Sequence, residues 1–206
     1  MQPHDWSRVL APYRNPIFSR ALFELAVTLV PFTVLWILAW VALSFSTVLA
    51  VVLALVNSGF LLRIFMIQHD CGHGSFLTNR AVGDWIGRVL GVMTLTPYDV
   101  WRKNHATHHA TSGNLEQRGV GDIPTLTVQE YKARSRFGRL QYRILRHPLF
   151  LFGIAPIYIF YFQYRIPVGL TRAGSRYWLS ALGTNLGIAL FLAAVSYTHL
   201  RAHETY

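Results

Sequence analysis

The chain has 206 residues, of which 52% are hydrophobic and 14% charged, and its formal net charge is +10. Its single cysteine, Cys71, excludes an intramolecular disulfide. No nucleic-acid-binding module accompanies the positive charge, so we expect no nucleic acid partner and attribute the charge to the loops of a membrane protein.

The first apolar region is long enough to cross a membrane twice. No charged residue occurs between Glu24 and Arg63, a run of 38 positions. As a helix this run measures about 57 Å, close to two crossings of a hydrocarbon core about 30 Å thick. We therefore predict a first span over residues 21–43 and a second over 48–67. A turn as short as residues 44–47 makes the two spans an antiparallel hairpin.

A polar stretch follows at residues 68–147, and two further spans are predicted at 148–164 and 177–197. The pattern predicts an all-α integral membrane fold with about four transmembrane helices in two hairpins. The N-terminal tail and the polar stretch together carry fourteen Lys and Arg residues, whereas the link between the last two spans carries three. This distribution places the N-terminus and the polar stretch in the cytoplasm.

Part of the polar stretch has the pattern of an amphipathic helix, between Val128 and Ile144. Apolar residues recur on one face of this segment, and four arginines surround them: Arg134, Arg136, Arg139 and Arg143. The pattern favours an interfacial helix lying on an anionic leaflet. The alternative is a solvated cytosolic helix.

Five of the nine histidines form two clusters with helical spacing, which are His69 and His73, then His105, His108 and His109. Residues three or four apart share one face of a helix, so their rings can converge on one ion. Neutral imidazole is a common ligand for iron, zinc and copper. We interpret all five as metal ligands, and His4 and His147 as ordinary polar residues.

Five imidazoles exceed the ligand number of one tetrahedral zinc, and a structural zinc site would favour cysteine. The soluble di-iron proteins use paired glutamates, but the acidic residues near the clusters are few: Asp70, Asp99, Glu116 and Asp122. The remaining interpretation is a multinuclear site made wholly or mainly of histidine at a bilayer surface.

Two motifs and the order of the spans resemble the membrane fatty acid desaturases, in particular the bacterial acyl-lipid type related to omega-6 (delta-12) desaturases. The motifs are HDCGHGSF at residues 69–76 and HATHHATSGNLEQRGVGDIPTLTVQEY at residues 105–131. The resemblance covers about residues 20 to 195. It implies that His69 and His73 form a first histidine box, and that His105, His108 and His109 form a second.

The resemblance also implies the chemistry and the partners. In that family, histidine boxes hold two irons, which activate O2 as co-substrate and remove two hydrogens from a fatty acyl lipid. It implies a bacterial inner membrane, with the boxes on the cytoplasmic face. Because the chain has no cytochrome-like or ferredoxin-like segment, the electrons would come from a separate donor of one of those types.

The chain departs from the family pattern after the fourth span, where a third box is expected. His199 and His203 form an H-x-x-x-H pattern, but it lacks paired histidines and follows the span immediately. We expect residues 1–195 to be an incomplete desaturase-like domain and residues 196–206 a non-native or frame-shifted tail. The chain would then be a truncated fragment that is inactive alone.

Two other functions remain open at this stage. One is a related membrane di-iron hydroxylase or ketolase that acts on another apolar substrate, although the segments HATSGN, RGVGDI and TVQEY favour the acyl desaturase. The other is a non-catalytic membrane metal-binding protein, such as a metal carrier. A carrier would need a polar path through the spans, and they contain little beyond Glu24, Asn57 and Asn185.

Overall fold

The computed structural model describes residues 8–13, 15–119, 123 and 125–204, with side chains as far as residue 197. The described part of the chain is helical or irregular and contains no strand, which agrees with the predicted all-α fold. The chain divides into two compact units, Met1–Thr94 and Leu95–Tyr206.

In the part of the first unit that the structure describes, three α-helices follow a short 3-10 turn at Ala11–Tyr13. In chain order they are α1 (Phe18–Ala42), α2 (Thr47–His73) and α3 (Arg80–Met93). The first two have 25 and 27 residues and are long and apolar enough to cross a membrane. Helix α2 begins where the side chain of Ser46 accepts a hydrogen bond from the Leu49 amide, at 3.2 Å.

Helices α1 and α2 pack against each other in an antiparallel pair. The side-chain amide of Asn57 donates to the Phe32 carbonyl at 3.2 Å, and the Arg63 guanidinium donates to the Glu24 carboxylate at 2.9 Å. The contact nearer the start of α1 is the one nearer the end of α2, so the two helices run in opposite directions. Because Asn57 is buried, its bond across the pair satisfies a donor that would otherwise be costly in an apolar setting.

Among the described residues, the second unit contains five helical segments. In chain order they are α4 (Tyr98–Thr111), α5 (Val128–Ala133), α6 (Arg136–Leu145), α7 (Phe150–Arg165) and α8 (Ser175–Glu204). Helix α7 is irregular, because π-helical turns at Phe150–Ile154 and Tyr158–Phe162 flank a short α-helical stretch. That stretch contains Pro156, which lacks the amide hydrogen that a regular helix would use there.

Three helices in the described residues are long and apolar enough to span a membrane. They are α1, α2 and residues 175–197 of α8. The segment predicted as the third span coincides with α7, which reaches span length only when joined to α6. The two are bent by 55° relative to each other. By length and composition the structure thus supports three spans, or four if the bent pair is one span.

The predicted continuous helix between Val128 and Ile144 is wrong, since the structure divides it into α5 and α6. The backbone of Arg134 is extended, and the Ser135 hydroxyl accepts a hydrogen bond from the Gly138 amide at 3.1 Å. A serine that caps the next helix stabilises a new helix start. The predicted apolar face therefore does not run unbroken through the segment.

Loop charges predicted that residues 68–147 and 165–176 lie on opposite sides of a membrane. In the second unit, however, Arg165 donates to the Leu95 carbonyl and Arg176 pairs with Asp99. The structure therefore brings parts of the two segments into contact. Charge counting treats residues 68–147 as one loop, whereas the side chains of Tyr98 to Trp101 are buried like those of a core helix.

Candidate metal centre

The first histidine cluster lies in the last turn of α2, which continues to His73, six residues beyond the predicted end of the second span. The Nε2 atoms of His69 and His73 are 3.3 Å apart, and we call these residues the first pair. The Nδ1 atom of His69 lies 3.3 Å from a carboxylate oxygen of Asp70. A carboxylate that accepts from Nδ1 orients the ring and leaves Nε2 available for a metal.

The helix end beyond the first pair is held by a glycine and an arginine. Gly74 has φ of +75°, a left-handed conformation that favours glycine and that ends α2. A side chain at this position would collide with the guanidinium of Arg80. Arg80 donates to the Gly72 carbonyl at 2.9 Å, which satisfies one of the last carbonyls of the helix.

The second cluster lies near the end of α4. The Nε2 atoms of His105 and His109 are 3.0 Å apart, and we call these residues the second pair. The ring of His105 stacks on the buried indole of Trp101, with ring centroids 4.6 Å apart. The stack restricts the orientation of the His105 ring. The sequence analysis overlooked Trp101, although its position one helical turn before His105 was readable.

His108 occupies a different position from the second pair. Its ring centroid lies 6.0 Å from that of His105 and 5.6 Å from that of His109. It is half-buried, and the close Nε2 contact joins His105 and His109. The side chains of His199 and His203 lie outside the described residues, as does Asp122.

Both pairs have the spacing that two ligands of one metal ion need. With metal–nitrogen bonds of about 2.1 Å and ligand angles of about 90° to 110°, two ligand atoms lie about 3.0 to 3.4 Å apart. The distances of 3.3 Å and 3.0 Å fall in this range. The same distances suit an N–H···N hydrogen bond, so the geometry is compatible with metal binding without requiring it.

An ion pair organises the segment after the second pair. The guanidinium of Arg118 donates to the Glu130 carboxylate and to the Thr125 carbonyl. Glu130 also accepts from the amide and hydroxyl of Thr127, which it caps at the start of α5. These bonds, led by the one from Arg118, lower the pKa of Glu130 to about 2. Arg118, Thr125 and Glu130 lie within the longer of the two sequence motifs, which gave no reason to single them out.

Comparison with known proteins agrees with both histidine motifs. The family model for fatty acid desaturases matches residues 46–203, which include the first and second pairs. A fatty acid desaturase from Bacillus subtilis (strain 168) is 41% identical over 188 residues, which are 91% of this chain and 53% of that protein. The chain thus spans about half the length of that relative.

Other relatives match a shorter part of the chain. An sn-1 acyl-lipid omega-3 desaturase (ferredoxin) from Synechocystis is 34% identical over 45% of this chain and 26% of its own length. An endoplasmic reticulum omega-3 fatty acid desaturase from Vigna radiata is 33% identical over 45% of this chain and 25% of its own length. No solved structure matches the chain significantly. Since the family model covers more than half of the sequence, the chain belongs to the fatty acid desaturase family, whose members are oxidoreductases.

Proposed function

We propose that this chain is part of a fatty acyl-lipid desaturase that introduces a double bond into an acyl chain with O2 as co-substrate. The observation that carries the proposal is the presence of two histidine pairs with ligand spacing inside the segment that matches the desaturase family. A desaturase needs a redox-active metal, because removal of hydrogen from an unactivated carbon demands a strong oxidant.

The metal in this proposal is iron, in a centre of two ions held by His69, His73, His105, His108 and His109. Imidazole nitrogens suit iron, and the spacing in each pair fits two ligands of one ion. When bound, the iron would activate O2 for hydrogen removal. The five histidines would hold the ions, while Asp70 and Trp101 orient one ring in each pair.

The reaction requires electrons from outside the chain. Removing two hydrogen atoms from the acyl chain supplies two electrons and two protons. Two further electrons and two protons complete the reduction of O2 to two waters. We propose a separate ferredoxin or cytochrome as the donor, since the name of the Synechocystis relative includes ferredoxin.

The position of the new double bond is a separate part of the proposal. The sequence motifs favour the omega-6 (delta-12) type, whereas the relatives from Synechocystis and Vigna radiata are named omega-3 desaturases. Gas chromatography of the product lipids distinguishes the two, because an omega-6 enzyme acts on monounsaturated chains and an omega-3 enzyme on chains already unsaturated at the omega-6 position.

We further propose that the protein is integral to a bacterial inner membrane, that α1 and α2 form a transmembrane hairpin, and that both histidine pairs face the cytoplasm. The basic helix α6 would lie on the anionic leaflet, since Phe137, Leu140 and Ile144 are exposed beside its arginines.

Cysteines introduced at positions 45 and 116, on a Cys71→Ser background, test the topology. A membrane-impermeant thiol reagent should label position 45 from outside and leave position 116 unlabelled. Labelling of both would refute the topology.

The enzymatic proposal is tested with a fusion protein. Five imidazoles are fewer than two irons of ordinary coordination require, so we expect the 206-residue chain alone to form no double bond. A fusion of residues 1–195 to the part of the Bacillus subtilis relative that the match leaves uncovered should form one. It should bind about two irons per chain, measured by mass spectrometry of the purified protein.

Two variants of the fusion complete the test. His105→Ala should abolish double-bond formation and lower the iron content, whereas His147→Ala, outside both clusters, should change neither. A fusion that retains its iron content after His105→Ala would refute the proposed ligand set. A fusion that binds iron but forms no double bond would refute the proposed reaction.

A further inference from the structure

The turn before α4 contains an unusual backbone conformation. Leu95 has φ of +57°, and no other residue except glycine has a positive φ in the part of the chain that the structure describes. Leucine pays a steric penalty in the left-handed region and has no polar side chain to compensate locally. Such a conformation persists only where surrounding contacts hold it.

One of the contacts that hold this turn comes from Arg165, at the end of α7. Its guanidinium donates to the Leu95 carbonyl at 2.6 Å and to the side-chain oxygen of Asn185 at 2.8 Å. The Asn185 amide donates in return to the carbonyl of Arg165, also at 2.8 Å. Arg165 is therefore fixed to α8 by two bonds, and it ties the Leu95 turn to that helix.

A second set of contacts fixes the first turn of α4. The backbone amide of Asp99 donates to the hydroxyl of Ser180 at 3.0 Å, and its carboxylate accepts from Arg176 at 3.0 Å. Tyr98 is completely buried at the same turn. Both the turn before α4 and its first residues are thus held by α7 and α8.

The direction of α4 decides where its histidines lie. His109 is eleven residues after Tyr98, about 16 Å along the helix axis. A rotation of about 15° at the helix start would move His109 by about 4 Å. Metal sites tolerate ligand displacements of only about 0.2 Å. Small changes at the Leu95 turn would therefore displace the second pair by many times that tolerance.

We propose that Arg165 is a positioning residue, which holds Leu95 in its left-handed conformation and so sets the direction in which α4 presents the second pair. The inference rests on the proposed function, in which both pairs serve one metal centre. Arg165 does not touch the metal or the substrate in this role. It acts only through the backbone of the turn that precedes α4.

The test measures the affinity of the purified 206-residue protein for Co²⁺ by absorption titration in detergent. Arg165→Gln should weaken Co²⁺ binding about tenfold or more, the size typical for residues that orient ligands. Arg172→Gln is the matched control, because Arg172 lies seven residues later, in the link between α7 and α8, and is exposed. The control should leave the affinity unchanged.

A background without the first pair separates positioning from folding. In the His69→Ala/His73→Ala protein only the second cluster binds, and its local geometry does not depend on the direction of α4. Arg165→Gln should therefore leave Co²⁺ affinity unchanged in that background. An equal loss in both backgrounds would overturn the proposal, because it would mean that α4 itself is disrupted. No loss in the protein with both pairs would also overturn it.

Rescue at the turn provides an independent test. Glycine adopts a φ of +57° without the penalty that leucine pays, so Leu95→Gly should restore most of the affinity lost in Arg165→Gln. Absence of rescue would overturn the role assigned to the Leu95 turn.

Failure of the proposed function has a different signature. His69→Ala/His73→Ala would then leave Co²⁺ affinity unchanged, whatever residue stands at position 165.

Discussion

The two histidine pairs have the same local geometry and different supports. The first pair ends a helix of 27 residues, whereas the second lies in a helix of 14. In both, the spacing i, i+4 brings the Nε2 atoms to about the distance that two metal ligands need. Local spacing is therefore sufficient to form each pair, whatever the surrounding fold.

The contacts that fix α2 and α4 lie at different distances from the histidines of each helix. Helix α2 packs along α1, and Gly74 and Arg80 fix its end immediately beyond the first pair. Helix α4 is fixed mainly at its start, where Leu95 contacts α7 and Asp99 contacts α8. The comparison teaches that the position of the first pair depends on nearby contacts, whereas the position of the second depends on contacts about 10 to 16 Å away along a helix.

The largest effects are expected from the histidines of α4. In the fusion protein, His105→Ala and His108→Ala should both abolish double-bond formation. The iron content should fall further in His105→Ala, because His105 belongs to the close Nε2 pair and His108 does not. Iron analysis and lipid chromatography measure the two effects. Equal loss of iron in both variants would contradict the distinction between His108 and the second pair.

The next largest effect concerns the remote support of α4. Arg176→Gln leaves the nearly buried carboxylate of Asp99 without its charged partner. We expect the free energy of unfolding to fall by about 2 kcal/mol. This is less than the usual cost of breaking a buried ion pair, because Arg176 is 60% exposed. The matched change near the first pair is Arg80→Gln, which removes an exposed hydrogen bond. It should lower the free energy of unfolding by about 1 kcal/mol. Thermal unfolding in detergent compares the two, and a larger loss for Arg80→Gln would reverse the comparison.

A smaller effect is expected in a helix that supports neither pair. Ser135→Ala removes the cap of α6 and should destabilise that helix by about 1 kcal/mol. Hydrogen exchange of the α6 amides should accelerate accordingly, while Co²⁺ affinity stays at the value of the unmodified protein. A change in Co²⁺ affinity would show that α6 contributes to the support of a histidine pair.

The smallest effect is expected from acid titration of Glu130. Its pKa is lowered from 4.5 to about 2, chiefly by the hydrogen bonds from Arg118. Because the pKa is lowered in the folded state, the carboxylate stabilises the cap of α5 fully above about pH 4.5. This contribution is lost as the pH falls towards 2. Hydrogen exchange at the α5 amides, corrected for intrinsic rates, should rise over that range in the unmodified protein and be independent of pH in Glu130→Gln.

Much of the site could be predicted because its determinants are local in sequence. The motif HDCGH contains Gly72 but no proline, and Gly74 after it is a typical helix end, so a continuation of α2 through His73 was predictable. The division between α5 and α6 was also readable, since Ser135 is a good helix cap, but the apolar periodicity concealed it. Pro156 likewise gave a signal for irregularity in α7 that hydropathy alone does not capture.

The sequence by itself determined the long apolar helices and the spacing within each histidine pair. Both follow from the periodicity of a helix and the thickness of a bilayer, which act over a few residues or one segment. Only the tertiary structure decided that Leu95 adopts a left-handed conformation and that Arg165 and Arg176 hold the start of α4. Those contacts join residues about 70 to 80 positions apart, and such pairings depend on how the whole chain packs.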